Sequence, residues 1–243
     1  MKRVINKWYS PNLNKEMEVV TYGEYGFALL LFPTAAADYL EYERFLLIDA
    51  IKPMIEAGKC KVFSINSINS EAWLNNKIPP HQKSERQEQY NKYIVEEVVP
   101  FIHTSCNGLV PIIASGASLG AFHSANAFFR RPDIFSGVIG MSGSYDLEDY
   151  SKGHFDDTVY FNSPVHYLSN MTDNHTLNQL RDNKKILIMT GQGNYENPTA
   201  SKNLSQVLNS KNIPHQLDVW GHDMPHDWPT WRDMLPYALS EKF

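Results

Sequence analysis

The run Phe27-Ala28-Leu29-Leu30-Leu31-Phe32 carries no polar residue at any of its six positions. A strand with one face in water alternates apolar and polar side chains, so this one has to be covered on both faces. With Pro33 it is the longest apolar stretch of the chain, and it is far too short to span a bilayer. A strand inside a layered α/β domain remains. Further strands are predicted at 60–65, 111–115, 138–141, 185–190 and 215–220. Helical patterns fill the gaps. One runs from Asp38 as N-cap, with Glu41 three residues on, to Gly58 at its end. Another over 85–102 puts Tyr90, Tyr93, Ile94, Val98, Phe101 and Ile102 on one face. The segment after 115 is helical until just before Pro132, and 200–208 and 231–239 complete the set. Such alternation predicts an α/β fold with a mostly parallel central sheet and helices on both faces.

The residues up to about Glu24 alternate polar and apolar around a Ser10-Pro11-Asn12 turn, which predicts an N-terminal antiparallel hairpin. Residues 147–183 are the least periodic and rich in Asp, Asn, Ser and Tyr. They are expected to form an excursion over the carboxyl edge of the sheet, too short for a large lid domain. No repeat, linker or low-complexity tract divides the 243 residues, so a single domain is expected.

The formal net charge of −5 is scattered along the chain, without a Lys/Arg cluster or aromatic-basic interleaving. That speaks against a nucleic-acid surface, and no segment is built for a membrane. Cys60 and Cys106 are too few for a disulfide framework, and Cys60 opens a strand as a buried thiol would. The basic start Met1-Lys2-Arg3 is not followed by an apolar core, so no secretory signal is read. Sequons at Asn170, Asn174 and Asn203 carry no weight without secretion, and a cytoplasmic location is expected.

Gly116-Ala117-Ser118-Leu119-Gly120 lies between an apolar strand and a helix. A strained strand-to-helix turn of this kind thrusts the serine into the open, and its flanking residues have to be small. The helix N-terminus behind it favours developing negative charge. An alcohol is a weak nucleophile at neutral pH, so Ser118 needs a base, and the base needs an orienting carboxylate. On such a scaffold these follow in the order Ser, Asp/Glu, His, each after a later strand. Glu196 is the only carboxylate in the loop Thr190 to Asn197. Asp146, after the preceding strand, is the alternative acid, its other role being to cap the next helix. After the last strand, His226 opens a His-Asp-Trp-Pro turn and is the candidate base. His222 is the alternative base or a pocket residue. A metal site built from these histidines with Asp223 and Asp227 is disfavoured, because the spacing suits a helix and Gly221 and Pro225 make a loop. An oxyanion needs two donors, expected to be the N–H of Leu119 and that of Thr34 or Ala35.

Gly-Ala-Ser-Leu-Gly, then Arg130-Arg131-Pro132-Asp133-Ile134-Phe135, then Met141-Ser142-Gly143-Ser144-Tyr145-Asp146, and finally His226-Asp227-Trp228-Pro229, resemble the esterase branch of the α/β hydrolases. The resemblance runs from about Phe27 onward and is to esterase D, antigen 85 and feruloyl esterase domains, and to small bacterial esterase-like proteins. It implies the α/β-hydrolase fold and cleavage of small to medium carboxylic esters or thioesters through an acyl-enzyme. It implies no cofactor and a small-molecule ester as partner. Acyl transfer with the same residues and a non-catalytic binding protein are the alternatives. Trp73, Phe122, Tyr145, Trp228 and Trp231 are candidates for the substrate pocket or for the core. Exposed edge strands leave a homo-oligomer open.

Overall fold

The computed structural model describes residues 1–243. Its strands are β1 (Arg3–Ser10), β2 (Lys15–Tyr22), β3 (Phe27–Phe32), β4 (Cys60–Ile65), β5 (Ile112–Ala117), β6 (Gly137–Met141), β7 (Lys185–Thr190) and β8 (Gln216–Val219). They form one eight-stranded sheet in the order β1-β2-β4-β3-β5-β6-β7-β8. The β1–β2 hairpin and the β2–β4 pair are antiparallel. Every other pair, from β4–β3 to β7–β8, is parallel.

Strand periodicity sorts the apolar residues into two cores. Ala28, Leu30 and Phe32 of β3 face one layer, with Ile112, Ala114, Val138, Ile186 and Ile188 of its neighbours. Leu29 and Leu31 face the other, with Val62, Ile113, Ile139, Leu187 and Met189. This is the two-sided burial that an uninterrupted apolar run requires.

The second layer is covered by α1 (Glu41–Arg44), α2 (Leu47–Ala50), α3 (Lys52–Glu56) and the C-terminal helix. The one helix predicted from Asp38 to Gly58 is thus broken into three. Leu46 takes a left-handed φ of 62° between the first two pieces, and Pro53 lies at the start of the third. Asp38 accepts from the N–H of Leu40 and pairs with Arg44, while Glu41 turns its carboxylate back towards Thr34.

The first layer carries α4 (Pro80–Tyr93), a π turn (Ile94–Val98) and α5 (Val99–Ser105), one continuous rod longer than predicted. The π turn aims Glu97 at the hairpin. Its carboxylate accepts from Trp8 Nε1 (2.8 Å), Ser10 Oγ (2.7 Å) and Asn12 Nδ2 (2.9 Å). Then α6 (Leu119–Arg130) follows β5.

Four short helices occupy the segment expected to be irregular: α7 (Glu148–Ser151), α8 (Asp157–Tyr160), α9 (Pro164–Asn170) and α10 (Asn174–Arg181). One or two turns are too short to show a helical period, but their starts are marked chemically. Asp156 caps α8, Asp173 caps α10, and Pro164 opens α9. The segment lies over the nucleophile end of the sheet, where Leu147 and Val159 pack with Trp73, Leu119 and Phe122. The last helices are α11 (Pro198–Ser210) and α12 (Trp228–Glu241). No helix is long and apolar enough to cross a membrane.

Candidate active site

Parallel pairing brings the ends of β3, β5, β6, β7 and β8 to one edge of the sheet, and each is followed there by a loop. Ser118 stands immediately after β5 with φ 56° and ψ −122°, a strained conformation for a residue with a side chain. Its N–H is held by the carbonyl of Met141 (2.9 Å). A Cβ at Gly120 would collide with the carbonyl oxygens of Phe32 and Pro33, and one at Gly116 with the backbone of Gly120. The two glycines therefore let the turn close and let α6 pack against the end of β3. Tyr42 ties the same two strand ends. Its hydroxyl donates to the Phe32 carbonyl (2.6 Å) and accepts from the Ala117 N–H (3.3 Å).

His226 Nε2 lies 2.9 Å from Ser118 Oγ, joining residues 108 apart in the chain. Its loop is laced to the loop after β7: Gln192 N–H donates to Gly221, Gly193 N–H to Met224, and His226 N–H to Asn194 (2.9 Å). A Cβ at Gly191 would collide with the Met224 carbonyl, so the close approach needs glycine there. The edge of Trp231 meets the imidazole at 5.2 Å and 85°, fixing its plane.

Glu196 Oε2 lies 3.7 Å from His226 Nδ1, an ion-pair distance beyond hydrogen-bond range, and Nδ1 has no other partner. The carboxylate is 1% exposed. It accepts from Ser142 Oγ (2.5 Å) and Thr190 Oγ1 (3.1 Å), and Ser142 accepts in turn from Trp231 Nε1 (3.0 Å). Burial pushes the Glu196 carboxyl up, but His226, Ser142 and Thr190 outweigh it and hold the group below the ordinary carboxylate range. Glu196 is therefore ionised at neutral pH.

The structure does not bring the two alternatives to Ser118. Asp146 accepts from the Glu148 N–H (3.3 Å) at the start of α7, the capping role, and burial raises its carboxyl. His222 is exposed, with Nδ1 3.3 Å from the Gln192 carbonyl. Because His226 turns inward and His222 outward, the two do not converge as metal ligands.

Of the candidate oxyanion donors, Thr34 is spoken for: its N–H donates to Glu41 Oε2 (2.9 Å) and its hydroxyl to Glu41 Oε1 (2.5 Å). No protein acceptor takes the N–H of Leu119 or of Ala35. Of the five aromatic candidates, all are buried in the cores, while Tyr150 and Tyr195 line the cavity beside Ser118. That cavity measures about 200 Å³ and is bordered by Ser142, Ser144, Asn197 and His226. Sequence reasoning missed Ser142, Thr190 and Tyr42. The only signal was position, each lying at or beside the end of a parallel strand or on the helix that follows one.

The family model described as Putative esterase matches residues 54–241. Among solved structures, a ferulic acid esterase superposes with a TM-score of 0.77 at 19% identity, covering 98% of this chain and 96% of that one. An S-formylglutathione hydrolase from Staphylococcus aureus gives 0.69 at 17% identity, covering 98% and 97%. MPT51 from Mycobacterium tuberculosis gives 0.69 at 14% identity, covering 99% and 97%. At these identities the likeness is one of fold. No curated protein sequence matches the chain.

Proposed function

Because the chain belongs to the Putative esterase family, and with it to the carboxylic ester hydrolases, we propose that it cleaves small esters or thioesters through an acyl-enzyme on Ser118. The observation that carries this reading is the 2.9 Å contact between His226 Nε2 and Ser118 Oγ on a strained turn. Ser118 Oγ bonds to the substrate carbonyl carbon as its proton passes to His226 Nε2. The imidazolium so formed faces the Glu196 carboxylate, and the positive charge draws the 3.7 Å pair together. His226 then gives the proton to the leaving oxygen or sulfur as the carbonyl carbon releases it. Water, deprotonated by the same nitrogen, attacks the acyl carbon, and His226 returns that proton to Ser118 Oγ as the acyl–oxygen bond breaks and the acid leaves. The N–H groups of Leu119 and Ala35 receive the oxyanion at both tetrahedral stages. These steps draw on protein groups and water alone.

The cavity of about 200 Å³ beside Ser118 fits a short acyl group, and Ser144, Asn197 and Tyr150 suit one that carries a hydroxyl or other polar substituent. Cys60, buried, and Cys106, half-buried, are free thiols that stay reduced in the cytoplasm, where we place the protein.

Labelling with a fluorophosphonate probe, with turnover of p-nitrophenyl acetate, butyrate and octanoate beside it, tests the reading. Wild type is expected to label and to prefer the shorter chains. Ser118→Ala and His226→Ala are expected to lose labelling, with kcat down by roughly 10⁴ to 10⁶. Undiminished labelling of Ser118→Ala, or an inert wild type, overturns it.

A further inference from the structure

We propose that Asn69 is the positioning residue of the oxyanion site, holding the Thr34–Ala35 peptide so that the Ala35 N–H faces the reaction. The inference rests on the reading of Ala35 as a donor. Asn69 Nδ2 donates to the Thr34 carbonyl at 2.9 Å. That carbonyl and the Ala35 N–H belong to one planar trans peptide and point in opposite directions. Whatever fixes the carbonyl on one side thus fixes the N–H on the other. The other groups of Thr34 are fixed too, since its N–H and hydroxyl both end on Glu41. With Thr34 anchored at its N–H and side chain, the Thr34–Ala35 peptide turns only if its bond to Asn69 is broken.

Asn69 is itself oriented. Its Oδ1 lies 2.7 Å from Nε2 of His123, on α6 behind the nucleophile. An amide oxygen only accepts, so Nε2 carries the proton, and the Asn69 amide has one orientation that serves both neighbours. Asn69 is 1% exposed and His123 2%, and the imidazole is enclosed by Phe32, Tyr90 and Phe122. Burial lowers the His123 pKa to about 3, so the ring stays a neutral donor. Its Nδ1 has no partner at all. A buried nitrogen left unpaired is a loss of free energy that an apolar residue would avoid. The position is explained by what Nε2 does for Asn69. An aspartate at 69 could not do the same, because a carboxylate has no proton to give the Thr34 carbonyl.

The test compares Asn69→Leu and Asn69→Asp with wild type in kcat, KM, melting temperature and affinity for a trifluoromethyl ketone, which becomes a tetrahedral oxyanion on Ser118. Both variants are expected to lose roughly 100-fold in kcat with KM within about twofold, and to bind the ketone weaker by a similar factor. His123→Gln, whose amide can still donate to Asn69 Oδ1, is expected to return kcat to within about threefold of wild type. His123→Phe is expected to fall as far as Asn69→Leu. Ketone affinity that survives in folded Asn69→Leu overturns the positioning role, as does a rate loss that merely tracks a lower melting temperature. Ala35→Pro, which deletes the N–H, separates the two readings. If it loses ketone affinity while Asn69→Leu keeps it, only Asn69 is wrongly assigned. If folded Ala35→Pro keeps it, the donor assignment falls as well.

Discussion

The two sides of Ser118 are built from different kinds of atom. On one side stand the side chains of Glu196 and His226, the proposed acid and base, which Ser142, Thr190 and Trp231 hold in place. On the other side lie the backbone N–H groups of Leu119 and Ala35, the proposed oxyanion donors, and the side chains of Glu41, Asn69 and His123, which contact the Thr34 backbone or one another. The difference decides what each side tolerates. A side-chain acid or base is lost with one substitution at its own position. A backbone donor survives almost any substitution at its own position and is lost through the residues that orient its peptide.

Glu196→Gln should break the comparison most sharply on the side-chain side. Gln keeps the shape but removes the charge that faces the imidazolium, and kcat is expected to fall roughly 10³- to 10⁴-fold. Steady-state kinetics with p-nitrophenyl acetate measures this, and a loss under tenfold would show that Glu196 does not act on His226. Ala35→Ser, which keeps the N–H, should leave kcat within about threefold, the contrast that backbone donors imply.

The supports of Glu196 should be coupled. Ser142 Oγ stands between Trp231 Nε1 and the carboxylate, so Ser142→Ala and Trp231→Phe each are expected to slow kcat about tenfold. The double variant should be less than multiplicative in a double-mutant cycle. Full multiplicativity would mean that the tryptophan acts only through its contact with the imidazole.

The smallest expected effect is on stability and separates the two sides by pH. His123 binds its proton only near pH 3 when folded, against about 6.5 when unfolded. Between these values the unfolded chain holds a proton the folded one does not, so stability falls as the pH drops below about 6.5. The slope from this group reaches about 1.4 kcal/mol per pH unit. Denaturant unfolding between pH 7 and pH 5 should therefore show a shallower decline in His123→Gln than in wild type. Parallel declines would place the buried imidazole outside the titration.

How far this was readable from sequence follows the same division. β3, β4 and β7 begin and end where the sequence predicts them, since each carries the apolar centre that a strand covered on both faces needs. The break at Leu46 and the short helices α7 to α10 were not readable, since a positive φ at leucine and one-turn helices leave no periodic trace. Ser118, Glu196 and His226 stand out in the sequence as candidates because nucleophile, acid and base each demand a particular residue type in a particular order. The alternatives Asp146 and His222 rank below them on position alone; in the structure the one caps α7 and the other points to solvent. Asn69 and Ser142 are ordinary loop residues in the sequence. Their importance lies in a carbonyl or a carboxylate dozens of positions away.

The π turn between α4 and α5 has a consequence for how this gene can change. One residue in an α-helix amounts to about 100° of rotation. A π turn absorbs about one such residue, so deleting any one of residues 94–98 would restore α-helical winding and leave the two ends of the rod close to their present phase. Tyr90 and Ile102 could then stay in the same core, while the bulge that presents Glu97 to Trp8, Ser10 and Asn12 would be gone. Loss of one codon here would thus unlatch the hairpin as surely as a substitution of Glu97 itself.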